Sequence, residues 1–269
     1  MEFGICLTSI LPVRREPEHR SEMVNQLLFG ELYRVFESNN DWHRIEMSYD
    51  NYEGWIPASQ HTMLEETEFI HLAGADTPCT MDLVQLMSNE TKKSVFPVVL
   101  GSSLPNLEEF RMTIRNDVFF YDGQISDTSM LEELETHQDK LEFKQRIISD
   151  AMFYLHAPYL WGGRSPFGID CSGFVQMVYK MNQIKLLRDA SQQATMGDVI
   201  GMISESEPAD LAFFGDEEGQ VNHVGIMIDK DRIIHASGKV RIDLIDHEGI
   251  YNEGLQKYTH RLRVIKRLI

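Results

Sequence analysis

Apolar residues in the first 63 positions fall in short runs, "GICLTSILPVR", "QLLFGELYRVFE", "DWHRIEMSY" and "YEGWIPASQ", cut by polar turns such as Ser38-Asn39-Asn40-Asp41. Runs of this length with turn punctuation predict a small β-barrel over 1–63. A second set, "SVFPVVLG", "FRMTIRND" and "VFFYDG", lies within 64–127 and predicts a second, diverged barrel. The period then changes. In "SDTSMLEELETHQDKLEFKQRIISDAMFYLHA", Leu131, Leu134, Leu141, Ile147, Ile148, Met152 and Leu155 recur at close to 3.6 residues after a Ser/Asp/Thr start. A linker helix over 128–139 is therefore expected to open a last domain, 140–269.

Within that domain, "CSGFVQMVYKM" places Phe174, Val175, Val178 and Tyr179 on one face of an amphipathic helix beginning at or beside Cys171. "VNHVGIMI" and "RIIHAS" alternate around Asp229-Lys230-Asp231 and predict an antiparallel hairpin; "HRLRVIKRLI" predicts a closing strand. Strands following helices indicate an α+β domain.

A cysteine at a helix N-terminus sits in the positive end of the peptide dipoles, which with a cationic neighbour brings a thiol to roughly pKa 3.5–7.5. Asp170 precedes Cys171 as a residue type that caps helices, and Gly168 and Gly173 permit a tight turn and close backbone approach. Cys6 and Cys79 read as buried apolar residues. In the hairpin, His223, Gly225 and Met227 share one face, and Ile233, His235 and Ser237 share a face of the return strand. A turn centred on 229 puts His223 opposite His235, one centred on 230 makes them diagonal neighbours, and a one-residue slip would separate them. Cys171, His223 and His235 thus form a candidate nucleophile, base and orienter. The other eight histidines read as surface residues.

Here the residues resemble a known family. "YLWGGRSPFGIDCSGF", "PADLAFFG", "NHVGIMI" and "IIHASG" look like the NlpC family of papain-like cysteine peptidases, and "SEMVNQLLFGE" and "GWIP" resemble bacterial Src-homology-3-like modules. The resemblance implies two small barrels followed by an α+β papain-like peptidase domain, and His223 as general base with His235 orienting it. It further implies an oxyanion hole at the Cys171 backbone N–H, with Tyr159 completing it or lining the acyl pocket. Two barrels before this domain look like the cytoplasmic γ-D-glutamyl-L-diamino-acid endopeptidases of cell-wall recycling, which act on L-Ala-γ-D-Glu-diamino acid with a free N-terminal alanine. By correspondence Asp170 and Ser172 anchor the substrate ammonium, with Ser191 nearby and Tyr52 and Glu16 or Glu18 contributed by the first barrel. Trp161 is a candidate cleft wall, and Arg188 and Arg164 are candidate partners of substrate carboxylates. Ala209 departs from the glycine usual in the family before the aspartate of "DLAFF".

Composition narrows the partners. Lys+Arg 25 against Asp+Glu 42 gives a formal charge of −17, which repels nucleic acid and anionic bilayers. Three scattered cysteines form neither a disulfide framework nor a zinc cluster, and no phosphate loop, HExxH or calcium loop occurs, so no metal or cofactor is expected. Glu2 and the Arg14-Arg15 pair around the first apolar run do not match a secretory signal, and no run approaches the roughly 20 residues that span a bilayer; a cytoplasmic location is expected. The alternatives are an N-acetylmuramoyl-L-alanine amidase or acyltransferase on the same thiol, and a non-catalytic wall-peptide-binding protein. The sequence leaves the oligomeric state open.

Overall fold

The computed structural model describes residues 2–39, 41–129, 131 and 134–269. Asn40 of the expected turn, and Met130, Glu132 and Glu133 of the expected linker helix, lie outside them. The chain divides into two compact units: 1–128 with 161–166 and 180–183, and 129–160 with 167–179 and 184–269.

In the first unit, β1 (Glu2–Ile5), β2 (Ile10–Arg14), β3 (Met23–Leu28), β4 (Leu32–Ser38), β5 (Trp42–Met47), β6 (Glu53–Pro57) and β7 (Met63–Leu64) form one antiparallel sheet in the order β3-β2-β6-β5-β4-β1-β7. The alternating runs put Leu11, Val13, Leu27, Tyr33, Ile45 and Ile56 into one core. Helix α1 (Glu66–Ala73) and strands β8 (Val84–Asn89), β9 (Ser94–Val99), β10 (Arg111–Ile114) and β11 (Asp117–Phe120) follow.

The region expected as a second barrel is a four-stranded antiparallel sheet, β10-β11-β8-β9, and among the described residues no pairing joins its edge strands. Its core residues Met87, Val98, Ile114 and Phe119 cluster with Ile5 and Phe29 of the first segment and Phe69 and Leu72 of α1. The sheet shares a core with its neighbour, so it has no need to close on its own apolar face.

Strand β12 (Arg164–Ser165) completes this unit. Buried Arg164 donates to Glu31 through two nitrogens, at 2.8 and 2.9 Å, and Lys180 Nζ reaches the same carboxylate at 2.6 Å. Lys180 also donates to Gly101 O and Ser103 Oγ, and Leu28 N donates to Glu31. Burial alone would raise the Glu31 carboxyl, but the two cations outweigh it and hold the group down at about 2. Arg164, read from the sequence as a possible contact for substrate carboxylates, is wholly buried on this internal partner.

The second unit begins with α2 (His137–Met152). The expected linker helix over 128–139 starts only here, because Thr136 closes it: Thr136 Oγ1 accepts from Asp139 N at 3.1 Å and Asp139 Oδ2 from Thr136 N at 2.7 Å. Next come β13 (Gly168–Ile169), α3 (Cys171–Met181), whose last two residues count with the first unit, α4 (Ala190–Gln193), β14 (Asp198–Ile200), β15 (Leu211–Gly215), β16 (Val221–Met227), β17 (Arg232–Ser237), β18 (Lys239–Ile245), β19 (Gly249–Asn252) and β20 (Lys257–Arg267).

The expected hairpin is β16–β17 and the expected last strand is β20. Strands β18 and β19 lie between them, and β20 pairs with both β15 and β19, so β15 to β20 close into a six-stranded antiparallel barrel with β14 attached to β20. Phe214, Met227, Ile233, Ile245 and Ile250 fill one of its cores. Ala209, just before β15, has φ 66°, in the left-handed region where glycine fits without strain. Among the described residues no helix is long and apolar enough to cross a membrane.

Glu31→Ala is expected to lower the unfolding free energy by about 3–5 kcal/mol, because it leaves two cations buried without their anion. Urea unfolding of the full chain measures this, and a loss below about 1 kcal/mol would contradict it. The depressed carboxyl adds stability above its unfolded value, near pH 4.3, that is lost as pH falls through about 2.

Candidate active site

Asp170 starts the site. Its Oδ1 accepts from Gly173 N at 2.7 Å and its backbone carbonyl from Phe174 N, so it caps α3 and Cys171 is the first helical residue. The carboxylate does not stand alone. Arg188 Nη2 lies 2.5 Å from Asp170 Oδ2, and Arg188 Nη1 donates to Asp170 Oδ1 and Ser172 Oγ, each at 2.9 Å. Arg188, a candidate for substrate carboxylates, is 1% exposed and spent on this pair. Asp170 and Ser172, candidates for the substrate ammonium, are likewise buried and engaged with Arg188.

The histidines come from the hairpin. Gly225 pairs with His235, the register centred on residue 230, so His223 and His235 are diagonal neighbours. Their Nε2 and Nδ1 atoms lie 2.8 Å apart. A Cβ at Gly225 would sit 2.8 Å from His235 Cβ and 2.7 Å from Ile233 Cδ1, so the position has no room for a side chain. Beyond β17, β18 pairs His235 with Arg241 and carries Asp243 to the next diagonal place, where Asp243 Oδ2 lies 3.0 Å from His235 Nε2. Arg241 Nη2 donates to Asp243 Oδ1 at 2.7 Å.

Sequence reasoning missed Asp243. The available signal was an acid in "KVRIDLI" on a β18 face shared with Ile245, a core residue. It also missed His260, which was read as a surface residue. The rings of His223 and His260 stack with centroids 4.1 Å apart and planes 24° apart. His260 comes from β20, two strands away across β15, where no local spacing reveals the contact.

The thiol's environment differs from the expected one. Burial pushes Cys171 up to about 12, with adjacent Asp170 adding to it, while backbone groups of Val224 and Ser172 and the charge of Arg188 pull the other way. The helix N-terminus does not overcome desolvation. Burial, His235 and His260 hold His223 well below its ordinary value. His260 falls to about 4 for the same kind of reason, burial first and then His235. Sulfur and imidazole are therefore both neutral at rest. Val224, which follows His223, touches the sulfur through its backbone, so β16 holds both groups.

Tyr159 is raised to about 12 by burial and by the neighbouring Cys171. With Asn222, His223, His260 and Arg261 it helps line a cavity of about 510 Å³. Cys171 is not among the residues that line this cavity. Donor atoms of His223, His235 and His260 fall within 4.8 Å of one another. The stacked His223 and His260 rings keep their lone pairs in near-parallel planes, which do not converge on one tetrahedral ion.

Ser191 is exposed on α4. In the first unit, Glu16 and Glu18 are exposed between β2 and β3, and Tyr52 packs against the core of the seven-stranded sheet. Trp161, also in that unit, is 57% exposed and donates to Glu22 at 2.6 Å, so it is not a core tryptophan. Cys6 and Cys79 are buried, as expected.

Residues 156–264 match the NlpC/P60 family, and residues 13–60 match the bacterial dipeptidyl-peptidase Sh3 domain. The chain is 29% identical over 245 residues to the gamma-D-glutamyl-L-lysine dipeptidyl-peptidase of Bacillus subtilis (strain 168), spanning 86% of this chain and 78% of that protein. It is 25% identical over 263 residues to dipeptidyl-peptidase 6 of Lysinibacillus sphaericus, spanning 91% and 92%. An NlpC/P60 family protein from Bacillus cereus ATCC 10987 has the same fold, with a TM-score of 0.81 over 99% of both chains at 20% identity. With a cysteine heading a capped helix and a buried imidazole pair on the adjoining sheet, residues 156–264 form a domain of the NlpC/P60 cysteine peptidase family, and residues 13–60 ahead of it form a bacterial Sh3 domain.

Proposed function

We propose that this peptidase hydrolyses the γ-D-Glu–L-diamino acid bond of murein peptides that carry a free N-terminal L-alanine, as a step in wall-peptide recycling in the cytoplasm. The observation that carries the reading is the neutral Cys171 thiol held by the strand that carries His223, the first member of the buried His223–His235 pair. The names of two relatives, a gamma-D-glutamyl-L-lysine dipeptidyl-peptidase and a dipeptidyl-peptidase, support the bond and the requirement for a free amino end.

In this reading His223 takes the thiol proton as Cys171 Sγ attacks the γ-carbonyl carbon, and the C–N bond breaks as the same imidazole returns the proton to the leaving amine. Water then attacks the thioester carbon, one of its protons passing to His223; the C–S bond breaks, the imidazole returns that proton to sulfur, and the D-glutamate γ-carboxyl group is released and loses its proton to solvent. The negative oxygen of each tetrahedral intermediate is met by the backbone N–H at the head of α3, with Tyr159 beside the sulfur. A neutral resting pair makes the base act during attack, so no thiolate needs to be maintained in a buried site.

Cys171→Ala is expected to reduce hydrolysis of L-Ala-γ-D-Glu-L-Lys and its diaminopimelate counterpart by ~10⁴-fold or more, followed by chromatography of the released amine. Activity near the wild-type rate would remove the nucleophile, and release of a lactyl or sugar fragment would identify an amidase. Acetylating the alanine amine is expected to lower kcat/KM by on the order of 10²–10³-fold, about the cost of leaving a buried ionic partner unmatched; equal rates would discard the requirement for a free amine. Because the His223 pKa lies well below 6.5 and only its neutral form accepts the proton, the acid limb of kcat/KM should fall well below pH 6.5. A half-maximal point at or above 6.5 contradicts that assignment.

A further inference from the structure

Three neighbouring strands each place one polar side chain on the same face: His223 on β16, His235 on β17 and Asp243 on β18. The registers Gly225↔His235 and His235↔Arg241 make each step diagonal, and the contacts run His223 Nε2 to His235 Nδ1 at 2.8 Å, then His235 Nε2 to Asp243 Oδ2 at 3.0 Å. His235 is 1% exposed and Asp243 9% exposed, so water does not substitute for these partners at little cost.

The proton positions follow from the end of the row. Burial would raise the Asp243 carboxyl, but His235 and Arg241 outweigh it and keep it below the usual carboxylate range. An ionised carboxylate only accepts, so the proton between Asp243 and His235 belongs to His235 Nε2. Burial keeps His235 neutral, so this is its one ring proton and Nδ1 is a lone pair. The 2.8 Å contact then requires His223 Nε2 to be the donor. His223, also neutral, has its bare nitrogen at Nδ1, the one that His235 does not engage.

We infer that Asp243 is a positioning residue that, through His235, sets the tautomer of His223 and thereby decides which of its ring nitrogens accepts the thiol proton. The inference rests on the peptidase reading above. Arg241 sharpens it, since its bond to the second oxygen fixes the carboxylate's orientation.

Asp243→Asn provides the test. Arg241 offers only donors, so it turns the amide oxygen toward itself and the amide NH2 toward His235 Nε2. His235 must then carry its proton on Nδ1, and His223 must accept at Nε2 and protonate Nδ1. The expected result on the tripeptide substrate is a kcat lowered by on the order of 10²–10⁴-fold with KM within about threefold, the scale seen when a triad carboxylate becomes an amide.

The 15N ring shifts of His223 in the full-length wild-type protein read the same assignment without any variant: Nε2 protonated and Nδ1 bare supports it, and the reverse overturns it. A kcat for Asp243→Asn within threefold of wild type, while Cys171→Ala is inactive, also overturns it. If the wild-type chain and Cys171→Ala hydrolyse wall peptides equally poorly, the peptidase reading fails instead, and the 15N shifts still decide the tautomer.

Discussion

A carboxylate removed from water must be matched by fixed positive charge or by donors, and Glu31, Asp170 and Asp243 are three of the buried carboxylates that show it. Each has its own guanidinium: Glu31 with Arg164, Asp170 with Arg188, and Asp243 with Arg241. Glu31 also holds Lys180, within the first unit. Asp170 ends the approach to that cysteine by capping α3. Asp243 ends the polar row across the barrel. Placing the thiol and placing the imidazole pair are thus two instances of one electrostatic requirement.

The same burial that demands matched charges sets the resting chemistry. Desolvation raises the thiol and lowers the imidazoles, so neither charged form is favoured before substrate arrives. His223, His235 and His260 crowd together, and a proton on any one of them disfavours a proton on the others. A proton on His223 is therefore held weakly.

Local signals carried much of this into the sequence. An acid before a cysteine before an apolar 3.6-residue repeat marked the helix start and its cap, and alternation in "VNHVGIMI" and "RIIHAS" marked the hairpin and reduced its useful registers to two. What local pattern cannot carry is the partner of a charge. Arg164 and Arg188 read as substrate-facing because their acids lie 133 and 18 residues away. His260 meets His223 only because β20 crosses back beside β15, and the helix effect on Cys171 was legible where the desolvation opposing it was not. The sheet of 84–120 was read as a barrel because a shared core leaves no trace in any one run.

Gly225 has a bearing on how such a site endures sequence drift. Strand interiors favour β-branched residues, so propensity alone would put valine here. Ile233 Cδ1, 2.7 Å from where its Cβ would lie, and His235 Cβ, 2.8 Å away, already fill that space. A side chain gained at this position would push on the strand that carries His235, so bareness at this one place is a constraint that packing, and not strand propensity, imposes on the chain.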